Sequence, residues 1–122
     1  MVVGDPGEQE LNDLFHALAD PTRRDIVRRA ISGELSVSRL AEAYPMSFAA
    51  VQKHVAVLAR AGLVTKQRRG REQLVRTDPA AVRRVRQALE ELETVWRARV
   101  ERMSELLPSP RSGEQPRRGD PR

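Results

Sequence analysis

Residues Met46–Val64 read MSFAAVQKHVAVLARAGLV. Val51, Val55 and Leu58 recur at helical spacing, as on a helix face that packs against a core. The other face carries Phe48, Ala49, Gln52, Lys53 and Ala56. Exposed Phe and Ala suit water poorly, because a surface helix usually fills that side with charged residues. An outer face of this composition needs a purpose other than solvation.

The flanking residues supply a context. Ser47 is placed to cap this helix at its start, and Gly62 ends it, giving a helix over 47–61. Upstream, Ser36 caps a short helix bearing Val37, Leu40 and Ala41, which Tyr44-Pro45 stops because a residue before proline avoids the α region. The spacing of 36–62 is that of a helix-turn-helix unit. Downstream, LVTKQR and EQLVRT are β-prone runs separated by Arg69-Gly70-Arg71, which reads as a hairpin over 64–77. A helix-turn-helix followed by such a hairpin is a winged helix, in which the second helix of the pair enters the DNA major groove. Gln52 then faces an adenine edge, Phe48, Ala49 and Ala50 pack on thymine methyl groups, and Lys53 reaches guanine or phosphate. The predicted DNA-facing set is Ser47, Phe48, Ala49, Ala50, Gln52, Lys53 and His54 on the helix, with Lys66, Arg68, Arg69 and Arg71 on the wing.

Further from the quoted stretch, Leu11, Leu14, Phe15 and Leu18 mark a first helix. Asp20-Pro21 caps and opens a second, expected to bury Ile26, Val27, Ala30 and Ile31 and to end at Gly33. Leu35 begins a short strand or extended link, and Pro79 opens a last helix running to about Leu107. The expected fold class is mainly α with a small β-hairpin (α+β), with about five helices. Residues 1–8 are expected to be flexible, 9–107 to form the domain, and 108–122, PSPRSGEQPRRGDPR, to be a disordered basic tail.

The 122 residues suffice for one domain, and at 3% aromatics its core must be mostly aliphatic. The net charge of +5 is unevenly spread. Residues 1–46 hold five Arg against eight acids, whereas 64–76 hold Lys66 and four Arg against Glu72 alone. Such a basic stripe suits a polyanion. With no cysteine, disulfides, thiolate metal sites and cysteine nucleophiles are all excluded. No apolar run approaches a bilayer span, and MVVGDPGEQE lacks the regions of a secretory signal, so a cytoplasmic protein without membrane partners is expected. Catalysis is not expected: Glu90, Glu91 and Glu93 read as helix-surface partners of Arg83, Arg86 and Arg97, and the serines sit at helix ends. A protein–protein or RNA interaction module is the alternative. It explains the basic wing, but the stacking aromatics of single-strand binders are missing and the outward Gln52 and Lys53 go unused.

In the last helix Val82, Val85, Leu89, Leu92 and Trp96 step by three and four, and Val100, Met103 and Leu107 continue. At about 1.5 Å per residue, 79–107 spans roughly 40 Å, against a radius of gyration near 13 Å for about 100 residues. The helix is therefore expected to overhang its own body, and a second copy of the chain is the simplest cover for its apolar outer half. The predicted dimer interface is Leu14, Leu89, Leu92, Trp96, Val100, Met103 and Leu107.

Taken together, LADPTRRDIV (Leu18–Val27), LSVSRLAEAYPMSFAAVQKHVAVLARAGLV (Leu35–Val64), RRGREQLVRTDP (Arg68–Pro79) and LEELETVWRARVERMSELL (Leu89–Leu107) resemble the ArsR/SmtB family of winged-helix repressors over about residues 11–107. The resemblance is closest to the branch without metal ligands. It implies a dimeric repressor that leaves its operator when an effector binds. A two-fold dimer has its recognition helices on one side, so the operator is expected to be an inverted repeat, with autoregulation as one use of it. Metal-sensing members place Cys-x-Cys where this chain has Ser36-Val37-Ser38, and others use Asp and His on the last helix, where residues 79–107 hold no histidine. No metal or cofactor is therefore expected. His54 falls at the family's usual recognition-helix histidine, implying packing or a phosphate contact. Nothing in the residues selects a small-molecule or protein effector.

Overall fold

The computed structural model describes residues 6–107. The element order is α1 (Pro6–Ala17), α2 (Pro21–Ile31), β1 (Leu35–Ser36), α3 (Val37–Glu42), α4 (Phe48–Ala61), β2 (Val64–Arg69), β3 (Glu72–Thr77) and α5 (Pro79–Leu106). The chain divides into two units, Met1–Ala88 and Leu89–Arg122. The first contains the helix-turn-helix, the wing and the opening turns of α5, and the described part of the second is helical through Leu106.

Local chemistry sets the helix boundaries. The Asp20 carboxylate accepts from the Arg23 backbone N–H at 3.0 Å, with Pro21 just inside the helix, where its missing N–H costs nothing. The Ser36 and Ser47 hydroxyls each accept from the backbone N–H three residues on, those of Arg39 and Ala50, at 3.1 Å. Gly62 ends α4 in the left-handed region at φ 88°. Its N–H donates to Ala59 O at 3.1 Å and that of Leu63 to Leu58 O at 3.0 Å, the paired bonds of a Schellman stop. Asp78 caps α5 by accepting from the Ala80 N–H at 3.0 Å.

The sheet is antiparallel in the order β1-β3-β2. Arg69 faces Glu72 in the register, so the hairpin turns through two residues, Gly70 and Arg71. Gly70 has φ 64° and no other residue type has positive φ among the described residues. Glycine at the first central position alone is the signature of a type II′ turn, whose twist matches that of the strands. Β1 adds a third strand through Leu35↔Val75 and Ser36↔Leu74, beyond the hairpin the sequence predicts. The Thr77 hydroxyl, buried, donates to Val27 O at 2.8 Å and ties the sheet to α2.

The core gathers Leu14, Ile26, Leu40, Val51, Val55, Leu58, Leu63, Val64 and Val75 from nearly every element of the first unit. Its buried members are all aliphatic, and Tyr44 packs against them only partly buried. Fully burying one such side chain contributes about 1.5–3 kcal/mol, so the inner face of α4 is firmly anchored.

Several expectations need correction. Helix α1 begins at Pro6, so Gly7 and Glu8 belong to its first turn and not to a flexible stretch, while residues 1–5 and the tail 108–122 lie outside the described residues. Ile31 is 60% exposed, because α2 ends there and the last turn clears the core. Leu14, expected at a dimer interface, is 2% exposed and sits in the core of its own chain, where no partner can reach it.

Candidate nucleic-acid interface

Helix α4 is two-faced in the way its spacing demands. Val51, Val55 and Leu58 are buried, whereas Phe48, Ala49, Gln52 and Lys53 are exposed and Ala50 is half-buried. Phe48 keeps 47% of its surface in water, an unfavourable placement for an apolar ring unless something covers it. The Ser47 hydroxyl is spent on the cap, so its contribution to this face is to fix where the helix begins.

His54 departs from the predicted set. Its Nδ1 lies 3.4 Å from Arg23 Nη1 and 3.9 Å from the Asp20 carboxylate, so the ring turns toward the start of α2 rather than outward. Of the two roles the resemblance implied, packing is the one the geometry fits. Arg23 is the centre of this junction. Its guanidinium donates to Ala17 O at 2.7 Å and His16 O at 3.3 Å, and Arg24 donates to Leu18 O at 2.8 Å. These are carbonyls at the C-terminal end of α1, where a cation also meets the negative end of the helix dipole. The Asp20 carboxyl is held below its ordinary range, first by the Arg23 backbone N–H, which outweighs the opposing desolvation, with lesser help from His54 and the Arg23 charge.

The wing carries the remaining predicted residues. Beyond Val64 every residue of β2 is exposed, so the strand leaves the core and is wet on both sides. Lys66, Arg68, Arg69 and Arg71 are all exposed. Arg69 is ion-paired with Glu34 at 3.4 Å, and Glu34 is a residue the sequence reading did not single out. The structure thus leaves the outward side chains of α4 and the cations Lys66, Arg68 and Arg71 exposed, whereas His54 and Arg69 are engaged by neighbouring residues.

A second cluster also escaped the sequence reading. The Tyr44 hydroxyl donates to Asp25, which Arg28 and Arg29 also engage, and the Arg29 guanidinium lies 5.7 Å from the Tyr44 ring centroid. This ties the turn before α4 to α2. The Asp25–Arg28 and Asp25–Arg29 spacings are visible as helix pairs, but nothing local announces Tyr44. The Asp25 carboxyl is lowered by the bond from Tyr44 and then by Arg29. Tyr44 is pushed up to about 12, first by burial and then by Asp25, which favours its neutral hydroxyl. A raised value means that stability from this hydroxyl is complete below pH 10 and lost as pH climbs through about 12. Tyr44 is the single tyrosine of the chain, so alkaline titration of tyrosinate absorbance reads it alone. The midpoint should fall near 12 and move down toward 10 in Asp25→Ala; a wild-type midpoint at 10 contradicts the contact.

Among the described residues no group of three His, Cys, Asp or Glu is placed to hold a metal ion, and no helix is long and apolar enough to cross a membrane.

Comparisons with known proteins agree with this architecture. A family model described as a helix-turn-helix domain matches residues 18–67. The HTH-type transcriptional regulator Rv2034 of Mycobacterium tuberculosis is 35% identical over 95 residues, covering 78% of this chain and 86% of the relative. The transcriptional repressor SdpR of Bacillus subtilis is 30% identical over 60 residues, 49% of this chain and 67% of that protein. The solved structure of an ArsR-like transcriptional regulator from Rhodococcus sp. RHA1 superposes with a TM-score of 0.71 at 31% identity, covering 84% of this chain and 96% of the other. With that extent of identity joined to the same helix-turn-helix and wing, the chain belongs to the ArsR family of winged helix-turn-helix transcriptional regulators, which are DNA-binding proteins and not enzymes.

Proposed function

We propose that the protein is a cytoplasmic, dimeric repressor that binds an inverted-repeat operator, with α4 in the major groove and the wing on the phosphate backbone. The observation that carries this reading is the exposed face of α4, where Phe48, Ala49, Gln52 and Lys53 stand out in water, together with the exposed wing cations Lys66, Arg68 and Arg71, which form no ion pair among the described residues. Small and apolar groups on that face allow close approach and thymine-methyl contact, and Gln52 supplies the bidentate pair to adenine. Two further features support the reading. The exposed Leu89, Leu92, Trp96, Val100 and Met103 of α5, with Leu107 just past its end, offer an apolar stripe for a second copy, and similarity to a named repressor favours repression over activation.

Gln52→Ala tests the groove assignment. One bidentate base contact is worth roughly 1–3 kcal/mol of discrimination. Binding to a duplex selected by the wild type should weaken about tenfold or more, while binding to unrelated duplex changes little. Competition mobility-shift assays with both duplexes measure this. Undiminished preference in the variant would place Gln52 off the bases.

A further inference from the structure

The four wing cations are not equivalent. Lys66, Arg68 and Arg71 are exposed and form no ion pair among the described residues. Arg69 is held by Glu34, which lies between α2 and β1, at 3.4 Å. The acid is the more confined partner, with 27% of its side chain exposed against 63% for Arg69. Side chains alternate along a strand, so Arg69 leaves β2 on the face opposite to Lys66 and Arg68. Its cross-strand neighbour is a second acid, Glu72.

We propose that Glu34 is a positioning residue that withholds Arg69 from the DNA backbone and so limits the sequence-independent affinity of the wing. This rests on the reading of the wing as a phosphate-contacting element. A guanidinium engaged by a carboxylate must give up that partner, or share it, before it can take a phosphate oxygen. A carboxylate left beside the phosphate also repels it. An exposed pair is weak, so the restraint is a tuning of affinity rather than a block. Its benefit falls on specificity. Phosphate contacts strengthen binding to every duplex alike, and lowering that common term leaves the base contacts of α4 a larger share of the total.

The test is a double-mutant cycle on the full chain, with Glu34→Gln, Arg69→Gln and the double variant. The probe is a random-sequence duplex, with affinity measured by fluorescence anisotropy over a series of KCl concentrations. Glu34→Gln should tighten binding about two- to fivefold per wing engaged, the range of an exposed ion pair. It should also steepen the log–log salt dependence by about 0.9 per additional phosphate contact, a readout that a merely structural role would not move. Both gains should vanish when Arg69 is already Gln. No gain from Glu34→Gln, or a gain that survives in the Arg69→Gln background as a bulk charge effect, overturns the proposal. The triple variant Lys66→Ala, Arg68→Ala, Arg71→Ala separates this from the underlying reading. Unchanged binding by the triple variant would sink the wing assignment itself. Weakened binding together with an additive cycle would sink only the role of Glu34.

Discussion

Replacing Lys66, Arg68 and Arg71 together with alanine should weaken binding to all duplexes, operator and unrelated sequence alike, by the largest factor of any surface change in this protein. These three side chains are exposed and carry no ion pair among the described residues, so their charge is available to phosphates. Each phosphate contact releases condensed counterions and contributes about 0.9 to the slope of log affinity against log salt. Three contacts on each of two wings would lower that slope by roughly five. At moderate salt a change of this size costs several orders of magnitude, as proteins with about six such contacts lose around 10³ in affinity between 50 and 200 mM salt. The ratio of operator to unrelated-duplex affinity should hardly move, because a hairpin turning at Gly70 and Arg71 does not present a rigid register to base edges as α4 does. Anisotropy titrations at several salt concentrations measure both quantities. If the variant instead relaxes one base position of the operator and keeps its salt slope, the wing reads sequence.

Trp96→Ala should dissociate the dimer and carry DNA binding down with it. Trp96 is 61% exposed and is the one tryptophan of the chain, lying within the apolar series from Leu89 to Leu107. Water is an unfavourable environment for so large a ring, and truncating a central aromatic at an interface commonly costs about 2 kcal/mol or more, roughly thirtyfold in dissociation constant. Each protomer offers a single α4 and a single wing, so a monomer forfeits half of the contacts. Tryptophan emission gives a direct readout, since it should shift to the blue when the ring is covered and to the red on dilution through the dimer dissociation constant. Emission that does not change with protein concentration would mean that a partner does not cover this ring.

How much of this was legible in the sequence depends on how local each signal is. The helix-turn-helix could be read because its boundaries are written in adjacent residues: Ser36 and Ser47 donate no packing but cap, Tyr44-Pro45 stops, and Gly62 takes the left-handed turn. Gly70 fixed the hairpin in the same way. The pairing of β1 with β3 was not legible, since two residues carry no periodicity and the partner strand lies far along the chain. Nor were the Arg23 and Arg24 bonds to the end of α1, because a surface arginine and a capping arginine look alike until the neighbouring helix is in place. The inward turn of His54 and the Tyr44–Asp25 bond have the same origin, a meeting of α2 with the helix-turn-helix. Leu14 and Phe15 show the limit of a helical stripe. Both fit its spacing, yet Leu14 is buried and Phe15 is 37% exposed, and one residue of rotation decides which.

The dimer that reads DNA is most directly tested by sedimentation of the wild-type chain at micromolar concentration, alone and with a duplex recovered by selection from a random pool. The account predicts a dimer in solution and two protomers on one duplex, whose selected sequence is an imperfect inverted repeat with half-site centres about 10–10.5 base pairs apart or a multiple of that. A monomer that binds a single half-site would contradict it.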